Sequence, residues 1–150
     1  MNEDFRDVLA ALIDAGARFL VVGAHALAVH GVPRATGNLD IWIKATTENA
    51  QSVWRALLEF GAPVETLDVS AEDLARPGFV VQIGVPPRRI DILTDISGVD
   101  FDSAWQSRVI HTLTDLPVPF IGRETLVLNK RSAGRLKDLA DLEALGEIQD

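Results

Sequence analysis

Apolar residues recur along this chain with two different spacings, and each spacing predicts a different kind of element. A spacing of three to four residues predicts helices over 3–15, 24–30, 47–60, 100–106, 124–131 and 134–145, with a short helical turn over 70–75. Alternating or short continuous apolar runs predict strands over 18–22, 39–44, 79–85, 89–94, 109–113 and 118–121. Because helices and strands are interleaved, the pattern predicts an α/β domain of the α+β type. Helices then flank a mixed central sheet of about four to six strands.

The two strands predicted over 79–85 and 89–94 are joined by a short segment that contains Gly84, Pro86 and Pro87. A connection of this length favours a hairpin. Proline has no N–H group to donate to a neighbouring strand. We therefore expect a loose pairing at an edge of the sheet.

The composition is that of one globular domain spanning residues 1–150. Apolar residues make up 47% of the chain and charged residues 24%, which is enough to bury a core. No Cys is present, so a disulfide scaffold, a thiolate metal site and a cysteine nucleophile are excluded. The formal net charge of −8 excludes a fully basic surface for coating nucleic acid, although a local basic patch is compatible with it.

The sequence also predicts a soluble, cytoplasmic protein without a membrane segment. The longest apolar stretch, 19–29, is too short to span a bilayer and contains His25. The first residues, Met-Asn-Glu-Asp, are acidic where a signal peptide is basic.

Two polar side chains lie at the start of the strand predicted over 39–44. Asn38 and Asp40 are two residues apart, so they point to the same side of a strand. Oxygen-bearing side chains on one face suit a hard divalent cation such as Mg²⁺. Gly23, at the turn between a predicted strand and a predicted helix, leaves backbone N–H groups bare for a phosphate. The same pattern also fits a polar strand end with solvated side chains.

A further acid, Asp91, lies between apolar residues in the strand predicted over 89–94. An unpaired carboxylate is costly to bury, so Asp91 must face solvent, a metal or a partner. If its strand lies beside that of Asp40, the two carboxylates can share one cation. The alternative is a surface acid paired with Arg88 or Arg89.

The chain has one basic cluster, over 123–137. Its five cationic residues stand against the single acid Glu124 and are Arg123, Lys130, Arg131, Arg135 and Lys137. Such a cluster can contact a triphosphate or an RNA backbone. It can also be a solvated helix face with the pairs Arg135–Asp138 and Lys137–Asp141. We expect a split, with Lys130 directed toward a ligand and Arg135 paired with Asp138.

Four segments then occur in an order typical of one family. They are Gly23-Ala24, Arg34-Ala35-Thr36-Gly37-Asn38-Leu39-Asp40-Ile41-Trp42-Ile43, Arg89-Ile90-Asp91-Ile92-Leu93, and Asn129-Lys130 with Gly134-Arg135-Leu136-Lys137-Asp138-Leu139-Ala140-Asp141. Together they resemble the nucleotidyltransferase-fold proteins of the DNA polymerase β superfamily. The resemblance is greatest to small bacterial nucleotidyltransferase-like proteins related to the abortive-infection (AbiEii) toxin group, and it covers nearly the whole chain.

The resemblance implies a metal-dependent enzyme that moves a nucleoside monophosphate from a nucleoside triphosphate (NTP) to a hydroxyl acceptor. Mg²⁺, or Mn²⁺, would be held at positions Asn38, Asp40 and Asp91. The catalytic residues would be Asp40 and Asp91, with Asp91 helping to deprotonate the acceptor. The nucleotide would be bound by Gly23, Ala24, Arg34, Thr36 and Lys130.

Two positions depart from the family pattern. Ala24 stands where a second Gly or a Ser is usual, and Asn38 stands where the first metal-binding Asp is usual. An amide oxygen carries no formal charge, so metal binding should be weaker. The alternative is therefore a catalytically inactive member that binds a nucleotide or a partner protein, such as the antitoxin of a toxin–antitoxin pair. A tRNA end is a further candidate acceptor, favoured by the basic cluster and opposed by the acidic net charge.

Overall fold

The computed structural model describes residues 1–147, and its helices and strands follow the order that the periodicity predicts. The helices are α1 (Glu3–Asp14), α2 (Gly23–Val29), α3 (Thr47–Phe60), α4 (Phe101–Gln106), α5 (Arg123–Ala133) and α6 (Leu136–Ala144). The strands are β1 (Phe19–Val22), β2 (Asn38–Ile43), β3 (Val80–Ile83), β4 (Arg89–Leu93), β5 (Val109–Leu113) and β6 (Leu116–Phe120). A 3-10 turn at Asp73–Ala75 replaces the helical turn predicted over 70–75.

The strands form one mixed sheet in the order β3-β4-β2-β1-β6-β5. At its centre, β2 runs antiparallel to β1 and parallel to β4. The edge strand β3 pairs antiparallel with β4, which confirms the predicted hairpin. The predicted fold class is therefore confirmed, with a six-stranded sheet at the upper end of the expected size.

The start of β6 differs from the prediction. The strand begins at Leu116, two residues before the predicted start, and runs through Pro117 and Pro119. Proline interrupts a ladder only where its missing N–H group would be needed. In β6 only Phe120 pairs with β1, while β5 pairs along the whole strand. The prolines are therefore tolerated because one side of this segment is largely unpaired.

Strand β2 separates the core from the candidate site. Leu39, Ile41 and Ile43 are almost completely buried in the apolar core. The alternation of a strand turns Asn38 and Asp40 to the opposite face, where both are only half-buried. The site residues of β2 are therefore held by a strand whose other face is fixed by apolar packing.

None of the helices in the described part of the chain combines the length and the apolar character needed to cross a bilayer.

Candidate functional site

Two carboxylates face each other across the centre of the sheet. Asp40 on β2 and Asp91 on β4 are register partners in the parallel ladder, so their side chains leave the same face. The expectation that their strands are neighbours is met. Both residues line a cavity of about 520 Å³, which is bounded by the sheet and by residues of α5 and α6. Gly23, which follows β1 as the first residue of α2, lines the same cavity.

The Asp40 carboxylate accepts a hydrogen bond at one oxygen and lies against Gly23 with the other. Asn38 donates a hydrogen bond from Nδ2 to Asp40 Oδ1 at 2.8 Å. Oδ2 lies against Gly23, where an added Cβ would come within 2.2 Å of it. Gly23 also has φ of +69°, a conformation that favours glycine. Burial and the neighbouring Asp91 charge raise the pKa of Asp40 to about 6, against the opposing effects of Asn38 and Lys137.

Asp91 is paired with the cation two residues before it on the same strand. Arg89 donates from Nη2 to Asp91 Oδ2 at 3.1 Å, and its Nε lies 3.1 Å from Oδ1. The second contact is not aligned as a hydrogen bond, so Oδ1 is buried without a hydrogen-bond partner. Asp91 itself is only 7% exposed. The Arg89–Asp91 pair considered from the sequence is therefore present, but Asp91 is buried in the cavity and is not the surface acid of that alternative.

Lys130 lines the cavity, but its ammonium group is already paired. The residue is 6% exposed, and Nζ lies 3.3 Å from Asp138 and 3.0 Å from Asp141. The expected Arg135–Asp138 pair is present at 2.7 Å. The Lys137–Asp141 pair considered from the sequence is not among the ion pairs of residues 1–147, since Asp141 bonds Lys130 and Arg34 instead. Lys137 lines the cavity, near enough to Asp40 to lower its pKa.

Arg34 and Thr36 contact the protein itself. The Arg34 guanidinium bonds Asp141 at 2.8 Å, which ties the segment before β2 to α6. The Thr36 hydroxyl bonds both the backbone N–H and the carbonyl of Asn38, at 3.2 and 3.1 Å. Neither residue lines the cavity, and neither does Ala24. Their predicted contact with a nucleotide stays a prediction, while their observed contacts hold the start of β2.

Sequence reasoning missed three cavity residues as candidates for ligand contact: Arg89, Asp95 and Lys137. For Arg89 the signal was available, because a residue two positions before Asp91 on a strand shares its face. For Lys137 the signal was ambiguous, since its spacing from Asp141 also fits an ordinary pair on a helix surface. Asp95 follows the end of β4, and no sequence pattern marked it.

The donor set fits one divalent cation at most. Within residues 1–147, no group of three or more His, Cys, Asp or Glu side chains is arranged to hold a metal ion. Asn38 turns its amide N–H toward Asp40, so its oxygen does not join the pair. The adjacent Asp40 and Asp91 carboxylates remain, together with the buried Asp91 Oδ1 that has no hydrogen-bond partner. Two hard oxygen ligands and open cavity space are compatible with Mg²⁺ that keeps several waters.

The fold is shared with solved structures of nucleotidyltransferases. A candidate nucleotidyltransferase from Thermotoga maritima superposes with a TM-score of 0.61 at 18% identity, over 93% of this chain and 88% of that one. The lincosamide antibiotic adenylyltransferase LnuA, with lincomycin bound, gives a TM-score of 0.62 at 15% identity, over 99% and 98% of the two chains. The chain has the nucleotidyltransferase fold. Neither a family model nor a curated protein matches it in sequence.

The nucleotidyltransferase fold places the four predicted segments around one cavity, although identities of 18% and 15% establish the fold alone. Activity has to be argued from the side chains. The expected relation to the abortive-infection toxin group is not among these findings and stays a prediction.

Proposed function

We propose that this protein is a nucleotidyltransferase that transfers a nucleoside monophosphate from an NTP to a hydroxyl group. The observation that carries the proposal is the in-register pairing of Asp40 with Asp91 on the cavity face of the sheet. A pair of carboxylates in a fixed geometry can support transfer of a phosphorus-containing group, because it places negative charge at a defined position in the site. The nucleotidyltransferase neighbours support an NTP as the donor substrate.

Mg²⁺ or Mn²⁺ would be held by Asp40 and Asp91, with Asn38 as a weak third ligand if its amide group turns over. Bound there, the cation would supply positive charge for the triphosphate as pyrophosphate departs. The fit rests on the two adjacent carboxylates and on the buried Asp91 Oδ1, which has no hydrogen-bond partner.

The chain's own side chains divide the remaining work. Gly23, which leaves room for the Asp40 carboxylate, lies at the wall where a phosphate can approach the backbone. Lys137 offers a cation at the cavity. The Asp91 carboxylate takes the proton of the acceptor hydroxyl as the hydroxyl oxygen bonds to the α-phosphorus. The bond from the α-phosphorus to the bridging oxygen then breaks, and pyrophosphate leaves.

The acceptor is proposed to be a small molecule or a protein hydroxyl in preference to a long RNA. The formal net charge of −8 opposes binding to an extended phosphate backbone. LnuA aligns with this chain over nearly the whole length of both proteins, and it is a lincosamide antibiotic adenylyltransferase. This similarity supports testing small hydroxyl compounds first. A tRNA end is the third class to test.

A second candidate function is binding without transfer, as in an inactive member that engages a nucleotide or an antitoxin-type partner. One contact favours it. Asn38 donates its amide N–H to Asp40, so an uncharged amide stands where the family resemblance implies a third carboxylate. The cavity would then keep its affinity for a nucleotide while its metal affinity falls.

The test incubates the purified chain with each of the four α-labelled NTPs, Mg²⁺ or Mn²⁺, and three acceptor pools: small hydroxyl compounds, proteins and tRNA. Label transfer and pyrophosphate release are measured together. We expect transfer to one pool, lost in Asp91→Asn and retained in Asp7→Asn, an exposed acid on α1. Nucleotide binding without transfer, by this chain and by Asn38→Asp, would support the second function. Absence of both binding and transfer would overturn both.

A further inference from the structure

Arg89 stands out among the cationic residues of the cavity because its partner is a candidate catalytic acid. Its guanidinium contacts both oxygens of Asp91, at 3.1 Å each. The other two paired cations of the cavity, Lys130 and Arg135, bond acids of α6 instead. Arg89 therefore brings positive charge to the carboxylate pair itself.

The position of Arg89 on the sheet is fixed by the ladder. It is the register partner of Asn38, and its backbone N–H donates to Gly37 O at 3.2 Å. Arg88, one residue earlier, lies outside the cavity, 56% exposed and paired with Asp4 at 3.2 Å. Two consecutive arginines thus point to different surroundings, and only the second faces the carboxylates.

The charges of the described cavity residues show what this arginine changes. Lys130 and Arg135 are neutralised by Asp138 and Asp141. Arg89 and Lys137 are left to balance the three carboxylates of the cavity, which are Asp40, Asp91 and Asp95. Of these two cations, Arg89 is the one that contacts Asp91 directly. Without it, a triphosphate would enter a cavity that repels it more strongly.

We propose that Arg89 is a resident counter-cation of this cavity: it neutralises Asp91, so that a nucleotide polyphosphate is accepted with one divalent cation or none. Asn38 belongs to the same arrangement, because it removes a negative charge from the position directly opposite Arg89. The inference rests on the proposed function for the identity of the ligand. The effect of Arg89 on the carboxylates can be measured without any nucleotide.

An ordinary structural ion pair would behave differently from a counter-cation. If Arg89 only stabilises the fold, its removal lowers the melting temperature and weakens every ligand alike. If it neutralises Asp91, its removal frees a carboxylate for metal while it strengthens the repulsion of phosphate. The two affinities then change in opposite directions.

The experiment uses the full chain, Arg89→Gln and the matched control Arg88→Gln. Mn²⁺ binding to the nucleotide-free protein is followed by electron paramagnetic resonance of the free ion. Binding of α,β-methylene-ATP is followed by calorimetry in EDTA. For Arg89→Gln we expect Mn²⁺ to bind about tenfold more tightly and the nucleotide about tenfold more weakly in EDTA, each change being roughly 1.4 kcal/mol. Arg88→Gln should leave both affinities unchanged.

Arg89→Lys keeps the charge without the planar guanidinium. It also provides a second test if Arg89→Gln fails to fold. We expect it to bind Mn²⁺ within about twofold of the unmodified chain. An unchanged or weaker Mn²⁺ affinity in Arg89→Gln, or a lysine variant that behaves like the glutamine variant, would overturn the proposal. If Mn²⁺ binds more tightly in Arg89→Gln but no variant binds α,β-methylene-ATP in EDTA, Arg89 neutralises Asp91 without admitting a polyphosphate, and that part of the proposal is overturned. The proposed transferase function is tested separately, by binding of each of the four nucleotides in the presence of Mn²⁺.

Discussion

Asn38 donates a hydrogen bond of 2.8 Å to the carboxylate of Asp40, from two residues earlier on the same strand. The residue that the sequence resemblance implies as a metal ligand thus donates a hydrogen bond to the neighbouring carboxylate. Thr36 supports this arrangement by bonding the backbone N–H and carbonyl of Asn38. The contact satisfies an oxygen of Asp40 without adding charge. Together with the Arg89–Asp91 pair, it offsets part of the repulsion between the two neighbouring carboxylates.

Restoring an acid at this position is the first prediction. Asn38→Asp should bind Mg²⁺ more tightly by about tenfold or more, because a third hard, charged oxygen then faces the cation. NTP-dependent pyrophosphate release at fixed Mg²⁺ should rise as well. Calorimetry with Mg²⁺ and a coupled pyrophosphate assay measure the two effects.

Asn129→Asp is the matched control for Asn38→Asp. Asn129 lines the same cavity, and its amide bonds Ser97 O at 3.0 Å, so the change adds the same charge away from the ladder. Its effect on Mg²⁺ affinity should be small. An equal gain in both variants would mean that overall cavity charge, and not the position beside Asp40, sets the affinity.

The second prediction concerns the coupling between positions 38 and 89. An acid at 38 would lie directly across from Arg89, so it would pair with the guanidinium as well as with a metal. The gain in Mn²⁺ affinity from Asn38→Asp should therefore be larger in the Arg89→Gln background. A double-mutant cycle should give a coupling of about 1 kcal/mol. Additive effects would show that Arg89 and the metal ion do not compete for the carboxylate at position 38.

The third prediction separates two lysines of the cavity. Lys130→Ala should destabilise the fold by about 3 kcal/mol, because it leaves buried carboxylates short of a partner. The loss of this partner should cost more at Asp138, because its side chain is only 1% accessible and water cannot replace the lysine. In a chain of this length the melting temperature should fall by roughly 6–12 °C.

Lys137→Ala provides the contrast, since this residue lines the cavity near Asp40. It should weaken nucleotide binding and leave the melting temperature almost unchanged. Thermal melts and nucleotide titrations of both variants decide the assignment. If Lys130→Ala kept full stability and lost nucleotide affinity, the role of Lys130 as a ligand contact, which the sequence predicts, would be supported instead.

The fourth prediction is a loss of stability in acid. Burial acts to raise the pKa of Asp138 and of Asp141, but hydrogen bonds and charges from Arg135, Lys130 and Arg34 outweigh it and lower both. A carboxyl group with a lowered pKa stabilises the fold fully above its unfolded-state pKa. That stabilisation is lost as the pH falls through the folded-state pKa.

Stability should therefore be flat near neutral pH with respect to these groups and should decrease below about pH 4. Urea denaturation between pH 7 and pH 3 measures the effect. Asp141→Asn should be less stable at neutral pH and should show a shallower decline in acid. Parallel curves for the two proteins would contradict the assignment.

The sequence located the candidate acids because strand alternation is a local property. The period of two placed Asn38 and Asp40 on one face, and the isolated acid in an apolar run marked Asp91. The order of the strands is not local. That β4 lies against β2 in register, which brings Asp40 and Asp91 together, follows from the pairing of the whole sheet.

The basic cluster shows why the rest could not be predicted. Its sequence has the spacing of a solvated helix surface, so burial of Lys130 was not evident. Burial results from the packing of α6 against α5, which brings Asp138 and Asp141 to the lysine. Arg34 reaches Asp141 across 107 positions of chain, a contact that no periodicity encodes.

The close approach of Asp40 to Gly23 restricts the order in which this site can change by mutation. Any side chain at position 23 would collide with the Asp40 carboxylate and would have to adopt a positive φ. Position 38 carries no such constraint, and an amide fits there with a good hydrogen bond. A lineage with this fold can therefore exchange acid and amide at 38 in a single reversible step. Replacing the glycine while Asp40 is retained requires compensating changes, so Gly23 and Asp40 are expected to change together. The constraint at position 38 is the hydrogen bond to Asp40 and not a steric one.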